Sequence, residues 1–197
     1  MEAAIIDSGG ANLASLQFAF ERLGARTRVT SDAGEIAAAS RVVLPGVGSA
    51  ADAMQRLRRS EIAAVLPTLR QPVLGICLGM QLLFERSAEG MTPCLGILPG
   101  TVQRLEATRE RPVPHMGWNQ LASSQPDPLL EDIGPGEYFY FVHSYAVPVC
   151  TVTVARTEYG EAISAVVRSR NFWGTQFHPE RSAAAGARLL RNFLELT

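Results

Sequence analysis

The sequence predicts an α/β fold in three layers, with a mostly parallel sheet, helices on both faces and an antiparallel β extension in the second half. Two observations indicate this architecture. Through residue 85, short apolar runs alternate with segments of helical periodicity, as expected for parallel strands joined by helices. After residue 100, β-branched and aromatic runs are separated by short turns, which is typical of antiparallel strands. The chain shows no internal repeat or linker, so we expect one domain over residues 1–197.

The first half of the chain contains four strand–helix pairs. The predicted strands occupy residues 3–6, 26–30, 41–44 and 73–76. The predicted helices occupy residues 12–23, 32–39, 50–69 and 78–85. Gly24 ends the first helix and Ser31-Asp32 can cap the second, because glycine and short polar side chains are favoured at these helix ends.

The second half begins with a loop that we expect at residues 86–99. Strands are predicted at residues 101–105, just after residue 119, and at residues 138–145, 149–155, 162–168 and 171–177. The run at residues 138–145 carries the strongest strand signal, because most of its residues are aromatic or β-branched. An amphipathic helix that starts at Ser182 closes the chain.

The composition excludes several classes of function. The chain has 18 basic and 19 acidic residues and a net charge of -1, which argues against nucleic acid or an acidic membrane surface as the main partner. No apolar run approaches the roughly 20 residues of a membrane-spanning helix, and the first residues lack the basic start of a signal peptide. The three cysteines have no C-x-x-C spacing, so neither a disulfide framework nor a metal site is expected. We expect a cytoplasmic enzyme or enzyme subunit without a cofactor.

A candidate nucleophile lies where the fourth predicted strand meets its helix, in the sequence Gly75-Ile76-Cys77-Leu78-Gly79. A turn of this kind between a strand and a helix lifts the central side chain clear of its own backbone, and the two glycines leave room for the tight turn. The start of the helix would favour the thiolate form of Cys77. Taken alone, the pattern also fits an inert cysteine in the core.

A cysteine nucleophile needs a base to accept its proton, and the base needs a group that orients it. His178 ends a predicted strand and Glu180 follows two residues later, so an extended backbone would place both side chains on one face. Pro179 disfavours the helical conformation at His178. A strand-end histidine without a chemical role is the competing interpretation, and the nearby carboxylate argues against it. Cys77, His178 and Glu180 are therefore the candidate catalytic residues.

Acyl transfer also requires N–H donors that point at the developing oxyanion. The backbone N–H of Leu78, the residue after the nucleophile, is one candidate. The second could come from Pro45-Gly46-Val47-Gly48, which follows the third predicted strand and whose glycines allow a peptide to turn outward. Turns of glycine and proline after strands are common, so the motif by itself leaves this role open.

Several motifs resemble known families. Residues 75–81 and 177–180 resemble the nucleophile and His-Pro-Glu motifs of the class I, triad-type glutamine amidotransferases, which share a flavodoxin-like three-layer fold. Four further stretches resemble the glutaminase subunits of imidazole glycerol phosphate synthases, enzymes of histidine biosynthesis. These stretches are residues 7–13, 45–48, 114–119 and 171–182. Together the motifs extend from the first predicted strand to the last predicted helix.

The resemblance implies a mechanism and a set of site residues. Cys77 would attack the side-chain amide of L-glutamine, His178 would transfer protons, and Glu180 would orient His178. Water would then release glutamate from a thioester. The residues implied to bind glutamine are Gly48, Gln81, His143, Ser144 and Tyr145. The residues implied to form the oxyanion hole are Val47 and Leu78.

The resemblance also implies a partner. Ammonia would pass, without contact with bulk water, to a separate (β/α)₈-barrel cyclase subunit in a heterodimer. The implied interface residues are Asn12, Met116, Trp118 and Arg181. Two positions depart from the family pattern, since Arg181 stands where lysine is frequent and Ser8 stands where an aromatic residue is frequent. Neither belongs to the triad, so the expected chemistry is unchanged.

The sequence leaves three alternatives open. The chain could be an amidotransferase subunit of another pathway, such as vitamin B6, purine, folate or tryptophan synthesis. It could be a cysteine hydrolase that acts on a different γ-glutamyl or peptide substrate. It could also be a regulatory subunit without catalytic activity, although the intact set of Cys77, His178 and Glu180 argues against this. A hypothesis on regulation follows from the resemblance: if a peptide at Val47 must turn to complete the oxyanion hole, glutaminase activity depends on the partner and its ligand.

Overall fold

The computed structural model describes residues 1–9, 13–123 and 125–196. Its strands, numbered along the chain, are β1 (Glu2–Ile6), β2 (Arg26–Thr30), β3 (Val42–Gly46), β4 (Val73–Cys77), β5 (Phe84–Ser87), β6 (Thr92–Pro93), β7 (Leu98–Arg104), β8 (His115–Gln120), β9 (Ala122–Ser123), β10 (Tyr138–His143), β11 (Tyr145–Ala146), β12 (Thr153–Glu158), β13 (Ala162–Ser169) and β14 (Phe172–Thr175). Its α-helices are α1 (Leu13–Arg22), α2 (Ala33–Ala38), α3 (Ala50–Arg59), α4 (Ile62–Val65), α5 (Leu78–Leu82) and α6 (Ala183–Glu195). Short 3₁₀ helices cover Leu66–Thr68, Glu89–Met91, Pro128–Leu130 and Pro179–Arg181.

The main sheet joins eight of the described strands in the order β2-β1-β3-β4-β14-β13-β12-β9. The strands from β2 to β14 are parallel to their neighbours, and those from β14 to β9 are antiparallel. Strand β14 therefore joins the two halves of the sheet. Since β4 ends at Cys77 and β14 leads to His178, their parallel pairing brings the candidate nucleophile and base to one edge of the sheet.

Two smaller sheets lie outside the main one. Strands β8 and β10 form an antiparallel pair, and β11, β7, β5 and β6 form a four-stranded sheet in that order. The backbone N–H of His178 donates a hydrogen bond of 2.9 Å to the carbonyl oxygen of Tyr140 in β10. The β8–β10 pair is thereby attached directly beside the end of β14.

Two groups of buried side chains cover the two faces of the parallel strands. In β1, Ile5 packs in one group with Phe20 of α1 and Phe193 of α6. The next residue, Ile6, packs in the other group with Met54 of α3. Because successive side chains of a strand point to opposite faces, this alternation shows that helices cover both faces of the sheet. Burial of each such side chain stabilises the fold by roughly 1.5–3 kcal/mol. The three-layer α/β prediction is confirmed.

Most predicted elements of the first half are present. Strands β1 to β4 overlap the four predicted strands, with small shifts at their ends. Asp32 caps α2 as expected, since its Oδ1 accepts a hydrogen bond of 2.8 Å from the N–H of Glu35. Helix α1 begins at Leu13, and Asn12, where the predicted helix starts, lies outside the described residues. None of the described helices is long and apolar enough to span a membrane.

The prediction of one continuous helix over residues 50–69 is wrong. Helix α3 ends at Arg59, and Glu61 then adopts a left-handed conformation with φ of 60° before α4 begins. The Ser60 hydroxyl donates a hydrogen bond of 3.1 Å to a carbonyl oxygen of the last turn of α3, an interaction that competes with helix continuation. Pro67 has no N–H to donate, and here α4 gives way to a 3₁₀ turn.

The predicted helix over residues 78–85 is shorter in the structure, and the predicted loop over residues 86–99 contains strands. The N–H of Leu95 donates to the carbonyl oxygen of Leu82, the last residue of α5, at 2.9 Å. This carbonyl is therefore satisfied without another helical turn. Strand β5 then pairs with β6 and β7. These pairings join segments that are separated in sequence, so local patterns do not encode them.

The second half also departs from the predicted strand boundaries. The predicted strand over residues 138–145 is divided after His143, because β10 pairs with β8 whereas β11 pairs with β7. Strand β12 starts later than the predicted strand over residues 149–155. The segment at residues 114–119 was expected to precede a strand, but most of it forms strand β8. Strand β14, expected in an antiparallel arrangement, is antiparallel to β13 but parallel to β4.

Candidate active site

Cys77 lies on a sharp turn between a strand and a helix. It is the last residue of β4, and α5 begins at Leu78. Its backbone has φ of 54° and ψ of −111°, a strained conformation that costs of order 1–3 kcal/mol in a residue with a Cβ. A Cβ on Gly79 would overlap the carbonyl oxygen of Leu44, so only glycine allows this close approach of α5 to β3. The strand–turn–helix geometry expected from the sequence is present.

His178 and Glu180 form a hydrogen bond of 2.8 Å between Nδ1 and Oε1. His178 itself is extended, with φ of −99° and ψ of 97°, but Glu180 lies in the 3₁₀ helix that starts at Pro179. The sequence prediction placed both side chains on one face of an extended segment, and this part of the reasoning is wrong because a turn brings them together. An ionised carboxylate can only accept, so Nδ1 carries the hydrogen and Nε2 is left for Cys77.

The surroundings of His178 favour its protonated form. Burial alone lowers the pKa of His178, but hydrogen bonding and charge at Cys77 and Glu180 raise it more, and the resulting pKa lies well above the ordinary value. A protonated imidazole next to Cys77 stabilises a thiolate by opposite charge. The arrangement therefore suits a thiolate–imidazolium pair, which is the reactive form of a cysteine nucleophile.

A cavity of about 400 Å³ opens at Cys77. It lies at the carboxyl ends of β3 and β4, where ligands bind in parallel sheets. The structure brings the following sequence-predicted residues to its wall: Val47, Gly48, Cys77, Leu78, Gln81, His143, Ser144, Tyr145, His178, Glu180 and Arg181. Residues far apart in the chain thus surround one space next to the nucleophile.

Glu89 is a wall residue that the sequence reasoning missed. It lies in the 3₁₀ helix Glu89–Met91, inside a segment predicted to be a loop. Its Oε2 accepts a hydrogen bond of 2.7 Å from the N–H of Ala50. A single glutamate in a predicted loop carries no sequence signal that would distinguish it. Ser15 in α1 and Val142 in β10, also on the wall, were missed because neither belongs to a motif that indicates a site.

The segment at residues 45–48 lies directly beside the Cys77 turn. Strands β3 and β4 are parallel, with Gly46 opposite Cys77. The residues that follow this pair, Val47 and Leu78, therefore leave the sheet at the same edge, and both line the cavity. The fold brings the two candidate oxyanion donors to one wall.

His143 and His115 form a buried pair at the end of the β8–β10 ladder. Nδ1 of His143 lies 2.9 Å from the carbonyl oxygen of Tyr145, which can only accept, so this nitrogen carries the hydrogen. Nε2 of His143 then accepts from Nδ1 of His115 at 3.0 Å. Burial lowers the pKa of His143 to about 3 and that of His115 to about 4. Both rings are neutral, and their nitrogens are engaged with each other, with the Tyr145 carbonyl and with the Asn119 amide.

The outer face of the β8–β10 pair carries exposed apolar side chains. Met116 is 63% exposed and Trp118 is 53% exposed. The rings of Trp118 and Tyr140 meet edge to face at 6.0 Å, and the guanidinium carbon of Arg181 lies 4.6 Å from the centre of the Tyr140 ring. Arg181 also lines the cavity, so this face is continuous with the site. Asn12, the fourth residue expected at a partner interface, lies outside the described residues.

The other two cysteines, Cys94 and Cys150, are half-buried. Burial raises the pKa of Cys94 to about 11, which keeps it a thiol at neutral pH. The Sγ of Cys150 accepts a hydrogen bond of 3.6 Å from the hydroxyl of Thr153. These surroundings are those of structural cysteines.

Comparison with known proteins places the chain in a family. The sequence matches the family glutamine amidotransferase class-I over residues 4–196. It is 53% identical to the imidazole glycerol phosphate synthase subunit HisH of Xylella fastidiosa (strain Temecula1), over 99% of this chain and 98% of the relative. It is 52% identical to the protein of the same name from Xanthomonas campestris pv. campestris (strain 8004), over 98% of this chain and 97% of the relative.

A solved structure shares the fold at low sequence identity. A glutamine amidotransferase from Thermotoga maritima superposes with a TM-score of 0.69 at 16% identity, over 99% of this chain and 96% of that one. At this level of identity the similarity concerns the architecture alone. It agrees with the three-layer α/β arrangement described above.

Proposed function

Because the chain belongs to the class I glutamine amidotransferase family, we propose that it is the glutaminase subunit of an imidazole glycerol phosphate synthase, which hydrolyses L-glutamine to glutamate and ammonia. The observation that carries the proposal is the position of Cys77 on a strained turn, beside the His178–Glu180 pair and at the wall of a cavity of about 400 Å³. The choice of this synthase over another amidotransferase rests on 53% identity to the Xylella protein over nearly the whole chain.

In the first half of the reaction, Cys77 forms a thioester with the substrate. The thiolate attacks the side-chain carbonyl carbon of glutamine, and the carbonyl oxygen takes up the negative charge. We assign the N–H groups of Val47 and Leu78 as hydrogen-bond donors to this oxygen. The C–N bond then breaks while His178 gives its proton to the departing nitrogen, which leaves as ammonia.

In the second half, water releases glutamate. Neutral His178 takes a proton from a water molecule whose oxygen attacks the thioester carbon. The C–S bond breaks, glutamate leaves, and the thiolate and the protonated His178 are restored. Glu180 accepts the Nδ1 hydrogen of His178 throughout, so Nε2 is the atom that gives and takes protons.

Glutamine also carries an α-ammonium group and an α-carboxylate that the cavity must recognise. Of the acidic residues on the described wall, Glu180 is paired with His178, whereas Glu89 binds the N–H of Ala50 through Oε2 and can offer Oε1 to a ligand. We assign Glu89 to the α-ammonium group, because opposite charges with a hydrogen bond give the strongest contact available there. The other residues assigned to glutamine binding are Gly48, Gln81, His143, Ser144 and Tyr145.

The proposed partner is a (β/α)₈-barrel cyclase subunit, bound as a heterodimer. It would use the ammonia to make imidazole glycerol phosphate and AICAR from the ribulosyl nucleotide PRFAR. We assign the interface to the exposed face that carries Met116 and Trp118, together with Arg181 and Asn12. Exposed apolar side chains beside the mouth of a site are typical of surfaces that bind another protein.

The test measures glutamate release from glutamine by the chain alone, with a barrel-type cyclase, and with the cyclase plus the ribulosyl nucleotide. We expect the complex to form imidazole glycerol phosphate from glutamine. Cys77→Ala should abolish this reaction while leaving synthesis from free ammonia intact, and Cys150→Ala should behave like the wild type. Glutaminase activity that survives Cys77→Ala would show that the assignment is wrong, as would a wild-type complex that releases no glutamate.

A further inference from the structure

Gln176 is a fully buried residue between β14 and His178, and it is not part of the cavity wall. Its backbone N–H donates to the carbonyl oxygen of Ala165 in β13 at 2.9 Å, which holds the residue in place. Its side-chain amide lies between two other groups of the site. Nε2 lies 3.8 Å from Sγ of Cys77, and Oε1 lies 3.0 Å from Nε2 of Gln81.

The orientation of this amide follows from a chain of hydrogen bonds. Nε2 of Gln81 lies 2.7 Å from the carbonyl oxygen of Tyr145, an atom that can only accept. The Gln81 amide must therefore present its nitrogen here, and its second hydrogen goes to Oε1 of Gln176. This leaves the nitrogen of Gln176 towards Cys77. A reversed Gln176 amide would place two N–H donors against each other and an oxygen against the sulfur. The carbonyl of Tyr145 therefore determines, through Gln81, that an N–H group of Gln176 faces the Cys77 sulfur.

The groups around the sulfur differ in whether they can donate a hydrogen bond to a thiolate. The carbonyl oxygen of Val142 lies 3.7 Å from Sγ and can only accept the hydrogen of a neutral thiol. His178, with Glu180 behind it, interacts with Cys77, and His143 on the same cavity wall is neutral. When His178 has given its proton to the departing ammonia, Gln176 still presents N–H to the sulfur.

We propose that Gln176 is a catalytic residue that donates a side-chain N–H hydrogen bond to the Cys77 sulfur, with its orientation set by the Tyr145 carbonyl through Gln81. This role rests on the proposed glutaminase function. The bond stabilises the thiolate before attack and again when the C–S bond breaks. Since Tyr145 also lines the cavity, the relay connects the wall that binds the substrate to the atom that attacks it.

The first test measures the reactivity of Cys77 without substrate or partner. The isolated chain is treated with iodoacetamide between about pH 5 and about pH 9, and modification of the Cys77 peptide is followed by mass spectrometry. Gln176→Met has a similar length but no donor, and we expect its pH profile to be displaced upward by about one unit, so that alkylation on the rising part of the profile is about tenfold slower. Gln176→Glu replaces the donor with an oxygen and should react more slowly still. Gln55→Met, on the exposed face of α3, is the control and should match the wild type.

The second test measures glutamine turnover in the complex with the cyclase. Because Gln176 does not line the cavity, Gln176→Met should lower kcat by about tenfold and leave KM unchanged. Alkylation profiles of Gln176→Met and the wild type that coincide would overturn the proposal. Equal losses in Gln176→Met and Gln176→Glu would also overturn it, since they would indicate a packing role only.

A variant that does not fold still leaves the proposal testable. Gln81→Met removes the group that orients Gln176, and we expect its alkylation to be slower than that of the wild type, whereas an unchanged profile would contradict the relay. If the wild-type complex shows no glutaminase activity, the proposed function fails, and the alkylation experiment still decides the role of Gln176.

Discussion

The hydroxyl of Ser8 donates a hydrogen bond of 3.0 Å to the carbonyl oxygen of Pro45. Ser8 is buried after the end of β1, and its own carbonyl oxygen accepts from Nε of Arg56. Pro45 lies two residues before Val47, which we assign to the oxyanion hole. The loop after β1 is thus attached to the segment that contains the proposed oxyanion donor Val47.

Ser8→Ala should weaken the restraint on this segment. A hydrogen bond of this kind contributes about 0.5–1.5 kcal/mol. Its loss should therefore raise the equilibrium constant for turning the Val47 peptide by roughly two- to tenfold. We expect the isolated chain to gain glutaminase activity several-fold, and stimulation by the cyclase and its nucleotide to fall by the same factor. Ser40→Ala, which removes a bond of 2.8 Å to the carbonyl of Glu2 on the surface, is the matched control. Lower activity in both the isolated chain and the complex would contradict the prediction.

Glu180→Gln should reduce turnover without changing substrate affinity. The amide keeps the shape of the side chain but loses the charge that, with Cys77, raises the pKa of His178. It also permits the wrong tautomer of the ring, so we expect kcat to fall by roughly 10²–10⁴-fold. Steady-state kinetics of the complex give kcat and KM, with Glu110→Gln in an exposed loop as the control. A raised KM with unchanged kcat would assign Glu180 to substrate binding instead.

Gly79→Ala should destabilise the fold at the Cys77 turn. The added Cβ would overlap the carbonyl oxygen of Leu44, and forced displacement in a packed core costs about 1–3 kcal/mol or more. The free energy of unfolding in urea measures this loss. Gly134→Ala is the control, because no atom lies within 4 Å of the added Cβ, and its effect should be under about 0.5 kcal/mol. Similar losses in the two variants would contradict the packing argument.

The His115–His143 pair should make the fold less stable in acid. Their pKa values, about 4 and about 3, lie below the ordinary 6.5, so below that pH the unfolded chain takes up protons that the folded chain does not. Their contribution to stability is therefore present above about pH 6.5 and is lost as the pH falls towards these pKa values. For fully buried His143 the slope is on the order of 1.4 kcal/mol per pH unit.

Urea unfolding at a series of pH values tests this prediction. His115→Phe preserves the ring that stacks on Phe141 and Tyr159 but removes one titrating group. We expect a shallower loss of stability between pH 6.5 and about pH 4 than in the wild type. His178 acts in the opposite direction, because its raised pKa gives stability that is present below pH 6.5 and is lost as the pH rises. An unchanged slope in His115→Phe would show that the pair does not titrate as described.

The sequence predicted the elements whose causes are local. The apolar runs of β1 to β4, the Asp32 cap and Gly75, where an added Cβ would collide with the backbone of Gly79, act through neighbours a few residues away, so their patterns are visible in the chain. The spacing of His178 and Glu180 is equally local, and the pair forms even though a 3₁₀ turn replaces the expected extended backbone. The candidate catalytic residues Cys77, His178 and Glu180 can therefore be predicted from the sequence without the tertiary structure.

Only the tertiary structure decided the rest, because those contacts join segments far apart in sequence. The end of α5 depends on Leu95, and the division of residues 138–145 depends on which strand each part pairs with. The bond from Ser8 to Pro45 and the amide relay through Gln176 have the same origin, since each needs a partner that is distant in sequence and is brought near by the tertiary fold. A chain specifies its short-range geometry residue by residue, whereas the environment of its nucleophile exists only once distant strands are paired.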